Sequence, residues 1–171
     1  MSGRRRRGVK AGQLITYGHH VSEVYSPPRV TDIAQHMGLV PGFALDLTIP
    51  DKWGRKWDFS KPECRKAAEE LLDQEQPLLL IGSPMCKAFS VLQQLNARRV
   101  DPAVVRQRVE EATEHIKFCV KLYWKQLRAG RFFLHEHPEQ AKSWAIKELK
   151  ELMEDPEVVR VMGHMCQEGM Q

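Results

Sequence analysis

Short apolar runs alternate with amphipathic stretches from residue 22 onward. The apolar runs predict strands at 22–26, 42–48, 77–82, 131–137 and 157–165. Between them, apolar residues three and four positions apart predict helices at 29–38, 61–76, 91–99, 101–130 and 139–155. In the first of these helices, the apolar face consists of Val30, Ile33, Ala34 and Met37.

The run PLLLIG at 77–82 lacks polar alternation, which is typical of a central parallel strand buried on both faces. The alternation of strands and helices predicts an α/β, doubly wound fold with a mainly parallel sheet and helices on both faces. We expect one such Rossmann-like domain over residues 21–171, after a flexible basic leader at 1–20. Ligands of these sheets bind at the carboxyl ends of the strands, beside the point where the strand order reverses.

Most of the excess positive charge lies in the leader. Lysine and arginine outnumber aspartate and glutamate by 26 to 22, and four arginines stand together at 4–7. Such a tail suits non-specific phosphate contact or a nuclear address, and it can equally be a solvated end. No apolar run is long enough to span a bilayer, so we expect no membrane partner and a location in the nucleus or cytoplasm. The four cysteines lack CxxC spacing, which favours reduced thiols.

Two residues at predicted strand ends are candidates for catalysis. Cys86 follows the most apolar strand and precedes a possible helix start, where free N–H groups favour the nucleophilic thiolate. It can equally be a small buried hydrophobic residue at a corner. Glu136 ends the strand at 131–137, where partial desolvation would let it hold a proton and act as an acid. The alternative for Glu136 is an ordinary loop carboxylate.

The second predicted strand ends on the acidic Asp46, and Asp58 lies in the loop that follows it. A Rossmann-type sheet binds ribose hydroxyls at such a strand end, and both residues can equally be loop aspartates. In the same loop, Trp57 and Phe59 either cover the core or, with Trp53 and neighbouring cations, stack nucleic-acid bases. The spacing does not fit a zinc site, so no metal is expected at His135, His137, His164, Cys86 and Cys166.

Two short motifs resemble the cytosine-C5 DNA methyltransferases, a class I family that uses S-adenosylmethionine. GSPMCKAFS at 82–90 resembles their Pro-Cys-Gln-x-Phe-Ser loop and places Cys86 on the cysteine. LHEHP places Glu136 on the glutamate of their Glu-Asn motif. The layout of residues 23–47 is similar to the first two motifs and ends at Asp46, and KWDF puts Asp58 on the acid near the adenine.

The resemblance implies an S-adenosylmethionine-dependent methyltransferase that acts on nucleic acid. Cys86 would attack C6 of a flipped cytosine, and Glu136 would protonate or bond N3. The implied cofactor contacts are Tyr25, Ser26, Arg29, Asp46, Asp58 and Pro84. The family's cofactor loop is rich in glycine, whereas this chain has SPPRVT, and its motifs together also resemble a segment of retrotransposon-type polyproteins. A non-enzymatic nucleic-acid-binding module of a mobile element is the alternative.

Overall fold

The structure, a computed structural model, describes residues 18–89 and 100–163. Its strands are β1 (Val21–Val24), β2 (Pro41–Leu45), β3 (Leu79–Gly82) and β4 (Phe132–His135). Its α-helices are α1 (Val30–His36), α2 (Pro62–Glu75), α3 (Pro102–Arg128) and α4 (Lys147–Met153). Short 3-10 turns lie at Lys87–Phe89 and Lys142–Ala145. The predicted helix at 91–99 lies outside the described residues.

The four strands form one sheet in the order β2-β1-β3-β4, and every neighbouring pair is parallel. The order reverses between β1 and β3, because the first connection runs in the opposite direction to the next two. Right-handed crossovers therefore place α1 on one face of the sheet and α2 on the other. The prediction of a doubly wound α/β fold with a parallel sheet is confirmed.

The first four predicted strands are all present within a few residues of their expected bounds. Leu80, Ile81 and Gly82 of β3 are buried, as the unbroken apolar run predicts for a strand with neighbours on both sides and helices on both faces. Within residues 18–89 and 100–163, no helix is long and apolar enough to cross a membrane.

The contacts within the chain define two compact units. The first comprises Met1–Ser83 and Lys125–Glu136, and it contains the sheet. Its apolar core includes Val24, Leu45 and Leu80, none of which is more than 1% exposed. The second comprises Pro84–Trp124 and His137–Gln171. The most deeply buried apolar side chains of the second unit are Ile116, Cys119, Leu122, Tyr123, Leu149 and Leu152.

Gln126 is a fully buried polar residue in the first unit. Its Nε2 donates to the carbonyl oxygens of Pro77 and Phe132, both at 3.0 Å, and its Oε1 accepts a bond of 2.7 Å from Arg131 Nε. Because Pro77 precedes β3 and Phe132 begins β4, one side chain joins the last turn of α3 to the starts of two strands. Because these bonds satisfy both polar atoms of the buried Gln126 amide, the side chain stabilises the junction of α3 with β3 and β4.

The apolar face predicted for α1 is wrong at three of its four positions. Ala34 is 2% exposed and packs with Val21 and Ile81, but Ile33 is 59% exposed and Met37 71%. Val30 is also exposed. The helix is only seven residues long. The Thr31 hydroxyl donates a hydrogen bond to the buried carboxylate of Glu23, and this bond holds the side of α1 that carries Thr31 and Ala34 toward the sheet.

The helix predicted at 139–155 is present only in part. Ile146 has an extended backbone, with φ −64° and ψ 132°, and it separates the 3-10 turn at Lys142–Ala145 from α4. The strand predicted at 157–165 is wrong over its described part, residues 157–163, which form no strand. There the Arg160 guanidinium lies 4.2 Å from the Trp144 ring and bonds the carbonyl of Glu139, while Val159 and Val161 are exposed.

Candidate functional site

The four strands end level at one edge of the sheet. In the parallel ladders, Val24 of β1 lies opposite Leu45 of β2 and Gly82 of β3, and Gly82 lies opposite His135 of β4. Three backbone bonds extend the ladders by one residue: Tyr25 N to Leu45 O (2.9 Å), Ser83 N to Val24 O (3.2 Å) and Glu136 N to Gly82 O (3.0 Å). The carboxyl edge of the first unit therefore presents Tyr25, Asp46, Ser83 and Glu136 in adjacent positions. Since the order reverses between β1 and β3, the loop after β1 lies at the switch point where such folds bind ligands.

A buried glutamate organises the loop after β1. Glu23 is 1% exposed although it carries a carboxylate. Its Oε2 accepts hydrogen bonds from Arg29 N (3.1 Å), Thr31 N (2.8 Å) and Thr31 Oγ1 (2.7 Å). Its Oε1 accepts a bond from Ser26 Oγ (3.1 Å). These four bonds offset the cost of burying the carboxylate, and they fix the loop against the start of α1.

The loop keeps few N–H groups for a ligand. Pro27 and Pro28 have no N–H, the Tyr25 N–H bonds Leu45, and the N–H groups of Arg29 and Thr31 bond Glu23. Glu23 is not among the site residues predicted from the sequence, although an acidic residue inside the strand VSEV was a signal for it.

The three predicted cofactor residues of this loop differ in their surroundings. Tyr25 has a left-handed backbone with φ 59°, a costly conformation for a residue other than glycine, and its ring centroid lies 4.6 Å from that of Phe59. Ser26 is 6% exposed, and its hydroxyl lies 2.8 Å from the carbonyl of Pro27 and near Glu23. The side chain of Arg29 is exposed. The loop thus offers a half-buried ring and a cation at its surface, and the Ser26 hydroxyl is held inside.

Asp46 is half-buried directly after β2. Its Oδ1 accepts bonds from Thr48 Oγ1 (2.6 Å), Thr48 N (2.7 Å) and Ile49 N (2.9 Å). Burial raises the pKa of Asp46, but these hydrogen bonds outweigh it and hold the pKa below its usual range. The bonds from Thr48 and Ile49 all fall on Oδ1, so Oδ2 is the oxygen that can accept further donors at this strand end.

The loop between Asp46 and α2 is closed by aromatic residues. Trp57 and Phe59 are each 2% exposed, which confirms the prediction that they cover the core. Trp57 Nε1 donates to Asp51 Oδ2 at 2.9 Å, and Trp57 N bonds the carbonyl of Asp46. Trp53 differs from this pair because it is 64% exposed.

Asp58 is fixed by its own turn. Its Oδ1 accepts bonds from Ser60 Oγ (2.6 Å) and Ser60 N (3.1 Å), and Lys61 Nζ lies 3.7 Å from Oδ2. The bond from the Ser60 hydroxyl, followed by the Ser60 N–H and Lys61, holds the pKa of Asp58 below its usual range. Asp58 therefore stays ionised throughout the neutral range.

The two predicted catalytic residues lie in different units. Pro84 is buried and Cys86 half-buried at the start of the second unit, where Phe89 N bonds the Cys86 carbonyl at 2.9 Å and closes a single 3-10 turn. Glu136 ends the first unit and is exposed, which differs from the partial desolvation that the sequence predicts. The catalytic pairing of Cys86 with Glu136 stays a prediction.

Within residues 18–89 and 100–163, no group of three or more His, Cys, Asp or Glu side chains is arranged to hold a metal ion. Two of the five residues considered as metal ligands in the sequence, His164 and Cys166, lie outside the described residues.

Iodoacetamide at pH 8 is expected to spare Cys119 in the folded protein. Burial raises the pKa of this thiol to about 12, and a hydrogen bond with Tyr123 offsets only part of that rise. Roughly one thiol in ten thousand is then ionised at pH 8, and labelling should stay slow until the pH approaches the raised pKa. Cys64 and Cys86 are half-buried and should be modified first. Peptide mass spectrometry of native and urea-unfolded protein checks this, and equal labelling of Cys119 and Cys86 in the native protein would contradict it.

Comparison of the chain with protein-family models, curated proteins and solved structures gives no significant match. The resemblance to the cytosine-C5 DNA methyltransferases therefore stays a prediction from the two motifs. The structure establishes the α/β fold with its parallel sheet.

Proposed function

We propose that the carboxyl edge of the first unit binds S-adenosylmethionine, and that the chain is a methyltransferase-like protein acting on nucleic acid. The support is of two kinds. The fold is α/β with a parallel sheet whose order reverses beside the loop after β1. At that edge, the buried carboxylate of Glu23 holds the loop after β1, and Asp46 follows β2 with its Oδ1 bonded by Thr48 and Ile49.

The observation that carries the proposal is the Glu23 carboxylate at the start of α1. Dinucleotide-binding sheets place a pyrophosphate at this position, against the free N–H groups of the first helix. Here a buried carboxylate accepts the N–H groups of Arg29 and Thr31. A phosphate would meet a negative charge and find these donors occupied. S-adenosylmethionine has no phosphate and has a positive sulfonium, so it suits this edge better than a dinucleotide does.

Asp46 supports the adenosine part of the proposal. Its Oδ1 is held by Thr48 and Ile49, and its Oδ2 can accept ribose hydroxyls. The half-buried ring of Tyr25, packed on Phe59, supplies an aromatic surface at the same edge.

The residues of the two motifs would then have distinct chemical roles. The Cys86 thiolate would add to C6 of the base, which makes C5 electron-rich, and Glu136 would bond N3 as charge develops there. When bound, S-adenosylmethionine would supply a methyl group to C5 and leave as S-adenosylhomocysteine. Loss of the C5 proton to solvent water and expulsion of the Cys86 thiolate would restore the base, so Cys86 would be regenerated.

Calorimetric titration of the whole chain tests the cofactor proposal. We expect binding of S-adenosylmethionine in the micromolar to submillimolar range and binding of ADP-ribose at least about tenfold weaker, because ADP-ribose carries a pyrophosphate. Asp46→Asn should weaken S-adenosylmethionine binding by about tenfold, since its amide is a poorer ribose acceptor. Because the pKa of Asp46 is lowered, the affinity should be constant between about pH 6 and pH 8.

The matched control is Asp32→Asn, which changes an exposed carboxylate on α1 and should leave the affinity unchanged. The absence of a binding signal for S-adenosylmethionine and S-adenosylhomocysteine at millimolar concentration would overturn the proposal. Tighter binding of ADP-ribose than of S-adenosylmethionine would overturn the argument from Glu23.

A second candidate function, nucleic-acid binding without catalysis, is favoured by the exposed face of the loop after β2. The Lys52 ammonium lies 4.4 Å from the centroid of the exposed Trp53 ring, and Arg55 and Lys56 are exposed close by in the chain. An exposed indole among cations is a stacking platform for single-stranded nucleic acid.

Fluorescence anisotropy with a single-stranded oligonucleotide tests this second candidate. Trp53→Ala should weaken binding by roughly tenfold, as loss of one stacked base predicts. The control Lys66→Ala removes an exposed cation of α2 and should change the affinity much less. Equal effects of the two substitutions would indicate charge-driven binding without a stacking site.

A further inference from the structure

The second unit contains a cavity that the proposed function does not use. It has a volume of about 530 Å³, within the range of small-molecule sites, and those of its lining residues that the structure describes all belong to this unit. Its walls are mainly apolar and include Phe89, Val105, Val109 and Ile146. We propose that this cavity is a binding site for a soluble apolar carboxylate of the medium-chain fatty acid class, and the inference is independent of the methyltransferase proposal.

The charges of the lining residues select an anion. Arg108 of α3 and Lys142 of the second 3-10 turn both line the cavity, and among its described lining residues there is no carboxylate. Both side chains are exposed, and neither forms an ion pair within residues 18–89 and 100–163. Two unpaired cations beside an apolar wall favour a ligand that has one negative group and an apolar body.

The apolar walls exclude a small polar anion as the preferred occupant. Inorganic phosphate or acetate would meet the cations but would leave the valine and isoleucine side chains in water. A straight alkyl chain buries those side chains, and each methylene removed from water should raise the affinity by about fourfold. The affinity should therefore rise with chain length at constant charge.

Calorimetric titration of the whole chain with decanoate, below its micelle concentration, tests the site. We expect saturable binding of decanoate, much weaker binding of hexanoate, and at least about tenfold weaker binding of decanol, which lacks the charge. Arg108→Gln and Lys142→Gln should each weaken decanoate binding by about tenfold and leave decanol unchanged. Ala145→Trp places a large ring at the exposed Ala145 position of the cavity wall and should abolish binding of both compounds.

The control variants are Arg106→Gln and Lys150→Gln, because both residues are exposed and neither lines the cavity. They should bind decanoate as the unchanged protein does. Equal binding of decanoate and decanol, or unchanged decanoate binding by the double variant Arg108→Gln/Lys142→Gln, would overturn the proposal. So would the absence of any binding to the unchanged protein. Circular dichroism of each variant confirms that the compared proteins are folded.

Discussion

Replacement of Glu23 by alanine is expected to lower the free energy of unfolding by about 3–5 kcal/mol. The Glu23 carboxylate accepts four hydrogen bonds from the loop after β1, and its side chain is almost fully buried. Alanine leaves the N–H groups of Arg29 and Thr31 and the Thr31 hydroxyl without their acceptor, whereas Ser26 Oγ can still donate to the Pro27 carbonyl. Urea denaturation followed by circular dichroism measures the change, which is a large part of the stability of an ordinary domain.

Glu23→Gln keeps this prediction testable if the alanine variant does not fold. A glutamine can turn its oxygen toward Arg29 and Thr31 and its amide toward Ser26 Oγ, which then donates to the Pro27 carbonyl 2.8 Å away. The loss should therefore be smaller, about 1–2 kcal/mol. The control Glu70→Ala removes an exposed carboxylate of α2 and should cost less than about 0.5 kcal/mol. A loss for Glu23→Ala no larger than that of the control would show that the hydrogen bonds of Glu23 do not stabilise the loop after β1.

Gly42→Ala is expected to cost about 2–4 kcal/mol, because no space for a Cβ exists at this position of β2. A Cβ built on Gly42 would lie 2.2 Å from Ser22 Oγ, 3.0 Å from Glu75 Oε2 and 3.3 Å from His19 Cβ. Ser22 belongs to the neighbouring strand β1 and is fully buried, so it cannot swing out to solvent. The same denaturation experiment measures the loss.

A double-mutant cycle separates this clash from a general effect of alanine in β2. Ser22→Ala removes a hydroxyl that has no hydrogen-bond partner in the described structure, so alone it should be neutral or slightly stabilising. In the Ser22→Ala background, Gly42→Ala should lose much less stability, and the two changes should be non-additive by more than about 1 kcal/mol. Gly18→Ala, which meets nothing within 4 Å, is the matched glycine control. Additive losses would contradict the contact with Ser22.

The sheet could be predicted from the sequence because each strand has a local signal. The run at 77–82 contains no polar residue before Gly82, and the chain has few other ways to bury it than as a central strand. The helices α2 and α3 could be predicted for a similar reason, since apolar positions recur along lengths of 14 and 27 residues. In both cases the pattern is long enough to outweigh local exceptions.

The features that the sequence did not reveal depend on contacts between distant residues. The periodic pattern of α1 selects Ile33 and Met37 for the core, but the hydrogen bonds between Glu23 and Thr31 decide which side of this short helix faces the sheet. Gln126 has no local sign of burial, because its partners include Pro77, 49 positions earlier. Val159 and Val161 suggest a strand, whereas the described segment forms none and Arg160 holds it on Trp144.

The same distinction holds for the candidate site. The position of Asp46 at the end of β2 followed from the strand prediction, whereas the bond from Glu136 N to Gly82 O depends on the pairing of β3 with β4. The sequence marks Glu23 only as an acidic residue inside a strand, because its role as an acceptor depends on the loop that folds back on it. The cavity beside Arg108 and Lys142 is formed by segments far apart in the chain, and no local motif marks it.

The division of the chain into two units also has a consequence for the order in which the protein is completed on the ribosome. The first unit is discontinuous, since Met1–Ser83 and Lys125–Glu136 are separated by Pro84–Trp124 of the second. When β1, β2 and β3 have been synthesised, the edge of β3 that pairs with β4 is still open, and the 41 residues of Pro84–Trp124 must follow before the segment carrying β4 emerges. An open parallel edge of an apolar strand is a site for pairing with other chains. The nascent protein therefore passes through a stage in which the β4-facing edge of its most apolar strand is unpaired, and this stage lasts while Pro84–Trp124 is being synthesised.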